Sequence, residues 1–265
     1  MIHSMRLMTY NIKTRSDDRS EYGWRNRRVA VASTIRFHRP DLLGCQEVCY
    51  DQLRYLRDEL PEYEWVGSGR VDGQKRGEFC PIGFRRERFD LDNVQTFWLS
   101  ENPDRQGSVG WDGAYPRIAT LATLRDTESG TMILHANTHL DNEGTKAREK
   151  ATRLLGERLH SIASDRRLLL TGDFNSTTAS TPYRLLTDAD TLPHFFDTRT
   201  LSIHAHHGPE TTRTDFQTLV PDRTIDHMFV TSDWEVIQHA TGSDLDARGR
   251  FPSDHLPVIV DASPI

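Results

Sequence analysis

Along the chain, hydrophobic residues either alternate with polar ones or gather into short runs in ten places. These are RLMTYNI (6–12), DLLGCQEV (41–48), YEWVGSGR (63–70), PIGFRRERFDL (81–91), TFWL (96–99), RIATLATLRD (117–126), TMILHANTHL (131–140), RRLLLTGDF (166–174), TIDHMFVT (224–231) and PVIVDA (257–262). Alternation predicts a strand with one buried face, and a short continuous apolar run fits the middle of a sheet. Helical spacing appears three times. NRRVAVASTIRFHR (26–39) sets Val29, Ala32 and Ile35 near one face and stops before Pro40, where a helix should end. DQLRYLRDEL (51–60) spaces Leu53, Leu56 and Leu60 at i, i+3 and i+7. TKAREKATRLLGERLHSIA (145–163) carries Ala147, Ala151, Leu154, Leu155, Leu159 and Ile162 on one stripe, with charges opposite. Many strands with a few interspersed helices predict an α/β sandwich of two packed sheets, with polar strand ends gathered at one rim.

Composition narrows this only a little. The 265 residues contain no Pro/Gly/Ser linker, low-complexity tract or internal repeat, so a single domain over 1–265 is expected. No apolar run approaches membrane-spanning length, and the start lacks the features of a secretory signal, so a cytoplasmic protein with no membrane partner is expected. Three cysteines, Cys45, Cys49 and Cys80, form no C-x-x-C pair, which points away from a disulfide framework or zinc knuckle. A formal charge of −6 argues against gripping long duplex through phosphates. It leaves room for short or single-stranded nucleic acid, because clustered carboxylates recruit a divalent cation that reverses the local sign.

The candidate chemistry lies where strand patterns end. TYNIK presents Asn11, CQEV presents Glu47, NTHLDN presents His139 and Asp141, and TGDFN presents Asp173 and Asn175. TIDHMF sets Asp226 and His227 inside an apolar run, and PSDHLPV sets Asp254 and His255 before the last one. A carboxylate beside an apolar strand loses hydration worth several kcal/mol unless it is paired or binds metal. Repetition of that arrangement argues for a shared site. Oxygen donors from Asn11, Glu47 and Asp254 suit Mg2+ or Mn2+. His139 and His255 supply groups that donate to a phosphate oxygen or move protons. Asp173 accepts a proton from attacking water, with Asn175 fixing its geometry.

On these residues, in this order from Asn11 to His255, the chain resembles the endonuclease/exonuclease/phosphatase (DNase I-like) superfamily. It is most similar to a prokaryotic branch related to nocturnin- and deadenylase-like members, with GEFCPI (77–82, a GE-x-x-PI segment), FWLS (97–100), GWD (110–112) and NTHLD (137–141). The resemblance implies a four-layer α/β sandwich, two mixed β-sheets flanked by helices. It implies that Asn11 and Glu47 serve the metal and that His139 contacts the scissile phosphate. Asp173 and Asn175 would position the water, Asp226 would support the catalytic histidine, and Asp254 and His255 would form the terminal Asp–His pair. Two departures stand out. Lys13 replaces an acid that apurinic-site endonucleases carry two after the Asn, which disfavours a second metal. Pro221 falls where deadenylases place an adenine-stacking aromatic, with Phe216 as a substitute.

Arg117 is set to reach a substrate phosphate, with a structural ion pair as the competing reading. Trp98 and Trp111 would stack on a base or sugar, against burial in the core. HAHHG (204–208) offers ligands to a transition metal, and Arg70, Lys75 and Arg76 of the charged loop GRVDGQKRGE (69–78) are placed to meet an anion, but both segments are read first as solvated. The expected function is a Mg2+- or Mn2+-dependent phosphoesterase cleaving a phosphodiester in a nucleotide or a short nucleic acid. Beside it stand a phosphatase for a small phosphorylated metabolite and a catalytically silent binding module on the same scaffold. A monomer is expected.

Overall fold

The structure, a computed structural model, describes residues 4–15, 20–163, 166–188, 190 and 193–265. Two six-stranded sheets carry the architecture. The first is built from β1 (Met5–Asn11), β2 (Leu42–Gln46), β3 (Tyr63–Val66), β4 (Ile82–Arg85), β11 (Trp234–Thr241) and β12 (Val258–Pro264), in the order β11-β12-β1-β2-β4-β3. The second contains β5 (Phe89–Trp98), β6 (Ile118–Asp126), β7 (Met132–His139), β8 (Arg167–Asp173), β9 (Phe196–Asp197) and β10 (Asp226–Val230), in the order β5-β6-β7-β8-β10-β9. Each sheet is mixed. β1 and β2 run parallel, as do β7 and β8, while their other neighbours are antiparallel. β1 starts beside the end of β12, with Met5 opposite Ala262 and Thr9 opposite Val258.

The sheets meet through an apolar layer of Met5, Leu7, Leu42, Phe84, Leu124, Ile133, Leu169, Met228 and Val260. Helices α1 (Trp24–His38) and α2 (Tyr50–Glu59) cover the outer face of the first sheet. Helices α3 (Thr145–Ala163) and α4 (Thr181–Thr187) cover the second. Helix, sheet, sheet, helix is the four-layer sandwich expected. α5 (Thr198–Leu201) is a single turn beside β10 and β11.

Several boundaries moved. The 81–91 run divides into β4 and the start of β5, because a turn at 86–88 reverses the chain, and TFWL is the end of β5. β8 ends at Asp173, one residue short of the 166–174 run, and passes through Gly172. β11, β9, α4 and α5 were not read from the sequence. On α1 the inward stripe runs through Trp24, Arg27, Val31, Ala32 and Ile35, and Val29 is 66% exposed. The buried Arg27 explains the shift. Its guanidinium donates to the carbonyls of Ile12, Lys13, Thr14 and Pro252, so an arginine occupies what looked like a polar face.

Towards one rim the inter-sheet layer turns polar. Gln46 Nε2 donates to Thr9 Oγ1 (2.9 Å) and Asn137 Oδ1 (2.7 Å), and Asn137 Nδ2 donates to the carbonyls of Cys45 and Pro81. Thr171 joins Asn137 at 3.1 Å and His135 at 2.9 Å. Gly44 is required here: a Cβ would lie 2.6 Å from Asn137 Oδ1. This buried seam is the floor on which the strand ends deliver their side chains. Among the described residues no helix is long and apolar enough to cross a membrane.

Candidate active site

β1, β2, β7, β8 and β10 end, or in the case of β10 begin, at the same rim. Three of these strand exits are made by residues with left-handed backbone: Lys13 (φ 60°), Glu47 (φ 61°) and Asn175 (φ 47°). Such conformations cost a non-glycine residue about 1–2 kcal/mol, less for Asn, and tend to occur where function demands them. Here they turn each exit toward a common cavity of about 550 Å³.

Asn11 is the centre of the cluster and fully buried. Its Nδ2 donates to Glu47 Oε1 (3.0 Å) and Asp173 Oδ2 (2.9 Å), and lies 3.4 Å from His255 Nε2. Its Oδ1 accepts from the Lys13 amide, and the Thr14 amide holds Glu47 Oε2 at 2.8 Å. Asp173 Oδ1 accepts from the Asn175 amide (2.9 Å). Asn175 Nδ2 donates to the Leu140 carbonyl and lies 3.1 Å from His139 Nε2. His139 Nε2 is 3.4 Å from Asp173 Oδ2. His255 Nδ1 pairs with Asp226 Oδ2 at 2.8 Å, and its Nε2 is 3.6 Å from Asp173 Oδ2.

Charge follows from this crowding. Burial pushes the Asp173 carboxyl up to about 6, Asp226 adds to it, and His255 with the Asn175 and Asn11 donors opposes it. Burial works against the His255 imidazolium, yet Asp226 and Asp173 outweigh burial and push the ring up to about 9. His139 is driven well below its ordinary value by burial, with Arg117 and His255 acting in the same direction, so it is a neutral imidazole. Arg213 Nη1 also contacts His255 Nε2, a contact that only a neutral ring accepts. The carboxylates and Arg213 therefore compete over the protonation of His255.

Glu47, Asp173 and His255 each bring one donor atom to within 4.8 Å of the others, the one such group among the described residues. Two carboxylate oxygens and an imidazole nitrogen fit a hard divalent ion such as Mg2+ or Mn2+. Asp254, expected beside Glu47 as a ligand, stands outside that group. Its Oδ2 is held by Lys13 Nζ (3.0 Å) and Arg213 Nη1 (3.1 Å). Burial alone would raise its pKa, but His255, Lys13 and Arg213 keep it below the usual carboxylate range.

Asp226 lies beneath His255 rather than on the cavity. Arg117 lines the cavity and is also tied to Asp141 (3.4 Å) and Asn142 (2.7 Å), so both of its readings meet in one side chain. Trp98 does not reach the cavity. It is buried with Cys80 and Ile118, and its indole N–H donates to the Arg70 carbonyl at 2.6 Å. Asp141 organises its loop by accepting from the amides of Ala114, Glu143 and Gly144. His227 points away to the Ser176 carbonyl. Within HAHHG, His206 pairs with His239 at 2.9 Å and gathers no third ligand among the described residues. Contrary to the solvated reading of the 69–78 loop, Arg70 and Glu78 line the cavity, and the other lining residues that the sequence did not point to are Thr14, Tyr115, Asn142, Arg213, Arg223 and Ile225.

Two six-stranded sheets with an Asn–Glu–Asp–His cluster at their shared rim define the DNase I-like class. The chain belongs to the Endonuclease/Exonuclease/phosphatase family, whose model it matches over residues 8–255. It is similar to an endonuclease/exonuclease/phosphatase from Bacteroides vulgatus, with 32% identity, 99% of this chain and 100% of that one covered, and a TM-score of 0.93. It is likewise similar to a mannosyl-6-phosphatase from Bacteroides thetaiotaomicron, at 29% identity, coverage of 97% and 99%, and a TM-score of 0.89. Nocturnin from Drosophila melanogaster is 25% identical over 182 residues, 64% of this chain and 27% of that protein. An uncharacterized mimivirus protein is 24% identical over 225 residues, 70% of this chain. The chain spans about a third or less of the length of these last two relatives.

Proposed function

We propose that this chain is a divalent-metal-dependent phosphoester hydrolase and that its substrate is a small phosphorylated metabolite. The observation that carries the first part is the convergence of Glu47, Asp173 and His255 around Asn11. The second part rests on the cavity. Lys13, Arg70, Arg117, Arg213 and Arg223 line about 550 Å³, walled by the 69–78, 110–117 and 211–225 segments. That concentrates positive charge around a compact anion in a chain of net charge −6. Similarity to a mannosyl-6-phosphatase supports the same reading.

Glu47, with Asp173 and His255 in reach, would hold the ion, which when bound supplies Lewis-acid polarisation of the phosphoryl group. Asp173 Oδ accepts the proton of the attacking water, and Asn11 and the Asn175 amide fix the direction of its lone pairs. Asn175 and neutral His139 orient the phosphoryl oxygens. Asp226 holds the His255 ring so that Nε2 faces the cavity. Arg213 and Lys13 balance Asp254 and bring positive charge to the mouth.

A second reading, a phosphodiester in a short nucleic acid, draws on one feature. Half-buried Tyr22 and Phe216 stack on each other at 4.5 Å in and beside the Arg213 segment, an aromatic pair that a base could extend. One panel separates the two readings: phosphorylated sugars and nucleotides against oligonucleotides and bis-esters, with EDTA and with added Mg2+ or Mn2+. Phosphate release from monoesters, lost with EDTA and restored by metal, is expected. Cleavage of oligonucleotides alone would reverse the order of the readings.

A further inference from the structure

We propose that Glu78, Arg70 and Tyr115 form a subsite for hydroxyl groups, so that the pocket takes a phosphorylated sugar or polyol. The inference rests on the reading of the cavity as a phosphoester site and adds what recognises the rest of the molecule.

Beside Glu47 and Asp173, which belong to the metal cluster, Glu78 is a third carboxylate in a cavity lined by five cationic side chains. A phosphate gains nothing from a carboxylate in its wall. Glu78 Oε2 is 2.6 Å from Arg70 Nη1, whereas its other oxygen makes no hydrogen bond among the described residues. Its side chain is 19% exposed, and that exposure is toward the pocket. Burial raises its pKa against the opposing pull of Arg70, and the charge of Glu47 adds to the rise. A partly desolvated acceptor without a protein donor is satisfied by a donor on the ligand. Ionised phosphate offers none, while an alcohol-rich leaving group offers several.

The wall is also preorganised. Asp72 Oδ1 accepts from the Gln74 and Arg76 amides, which closes the 69–78 loop on itself. Trp98 clamps the Arg70 carbonyl, and this is the role the structure gives that tryptophan. Arg70 and Arg117 approach the Tyr115 ring at 5.2 and 5.7 Å. Tyr115, 46% exposed, is the aromatic residue of the cavity lining, and two guanidinium groups attend its ring. A carboxylate and a planar guanidinium side by side match the acceptor and donor pattern of neighbouring hydroxyls.

Calorimetric titration with glucose 6-phosphate and with phenyl phosphate tests this, on wild type, Glu78→Gln and Arg70→Lys, beside hydrolysis assays with Mn2+. Wild type is expected to bind glucose 6-phosphate at least tenfold more tightly than phenyl phosphate. Glu78→Gln, close in shape, should remove most of that preference, and Arg70→Lys should reduce it. Equal affinity for the two esters in wild type, or a preference unchanged in a folded Glu78→Gln, would overturn the subsite. Selective binding without phosphate release from either ester would retain the subsite and count against the hydrolase reading instead.

Discussion

Asp173 shows how a single residue concentrates the proposed chemistry. It lies at the end of β8, buried, with Asn11 and the Asn175 amide holding its two oxygens. A carboxyl pushed up to about 6 is a stronger base than an exposed one and is still largely ionised at pH 7. Asp173→Asn keeps the size and loses the base, so kcat should fall by about 10³-fold with the melting temperature little changed. A variant within tenfold of wild type in a steady-state assay would remove Asp173 from proton transfer. Most of the residues around it were legible in the sequence because each interrupts an apolar run at a strand end. Glu78, Arg213 and Arg223 were not. Long side chains from irregular segments reach the cavity from a distance, and with 33 basic residues in the chain no local pattern separates a pocket arginine from a solvated one.

Among the elements, the long periodic ones were read best. α3 has the bounds that its stripe predicts, and the central strands shift by only a residue or two. What failed was short or mixed. β11 alternates only weakly and carries a bulge, β9 has two residues, and α1 hides an arginine on its buried face. That arginine is a structural fastener. Arg27 closes the segment after β1 by satisfying several carbonyls, and the same segment supplies the Thr14 amide to Glu47. Replacing Arg27 with Met would leave those carbonyls unpaired. A loss of about 3 kcal/mol in urea unfolding is expected, together with weaker metal binding through the displaced Glu47. A stability loss below about 1 kcal/mol would show that water replaces the guanidinium without penalty.

The whole molecule carries a pH dependence located far from the cavity mouth. His135 is buried in the polar seam, bonded to Thr171 through Nε2 and unpartnered at Nδ1, and burial lowers its pKa to about 3. Burial lowers His239 likewise to about 3. Unfolded histidine titrates near 6.5, so between that value and 3 these two positions bind more protons in the unfolded chain than in the folded one, while Asp173, raised to about 6, acts in the opposite sense below pH 6. The stabilisation is complete above about pH 6.5 and declines as pH falls toward 3. Each histidine then costs up to roughly 1.4 kcal/mol per pH unit. Denaturant unfolding at pH 7, 6 and 5 should show this slope, and His135→Gln should flatten it by roughly 1 kcal/mol per unit. An unchanged slope would place the acid sensitivity elsewhere.

The pairing of β1 with β12 has a practical corollary. Met5 and Ala262 are neighbours in the first sheet, while β1 runs from there to Asn11 at the cavity. Seven residues of strand span roughly 23 Å, so the Met5–Ala262 pair lies at the end of the sheet remote from the pocket. A tether attached at either place leaves the mouth open to solvent.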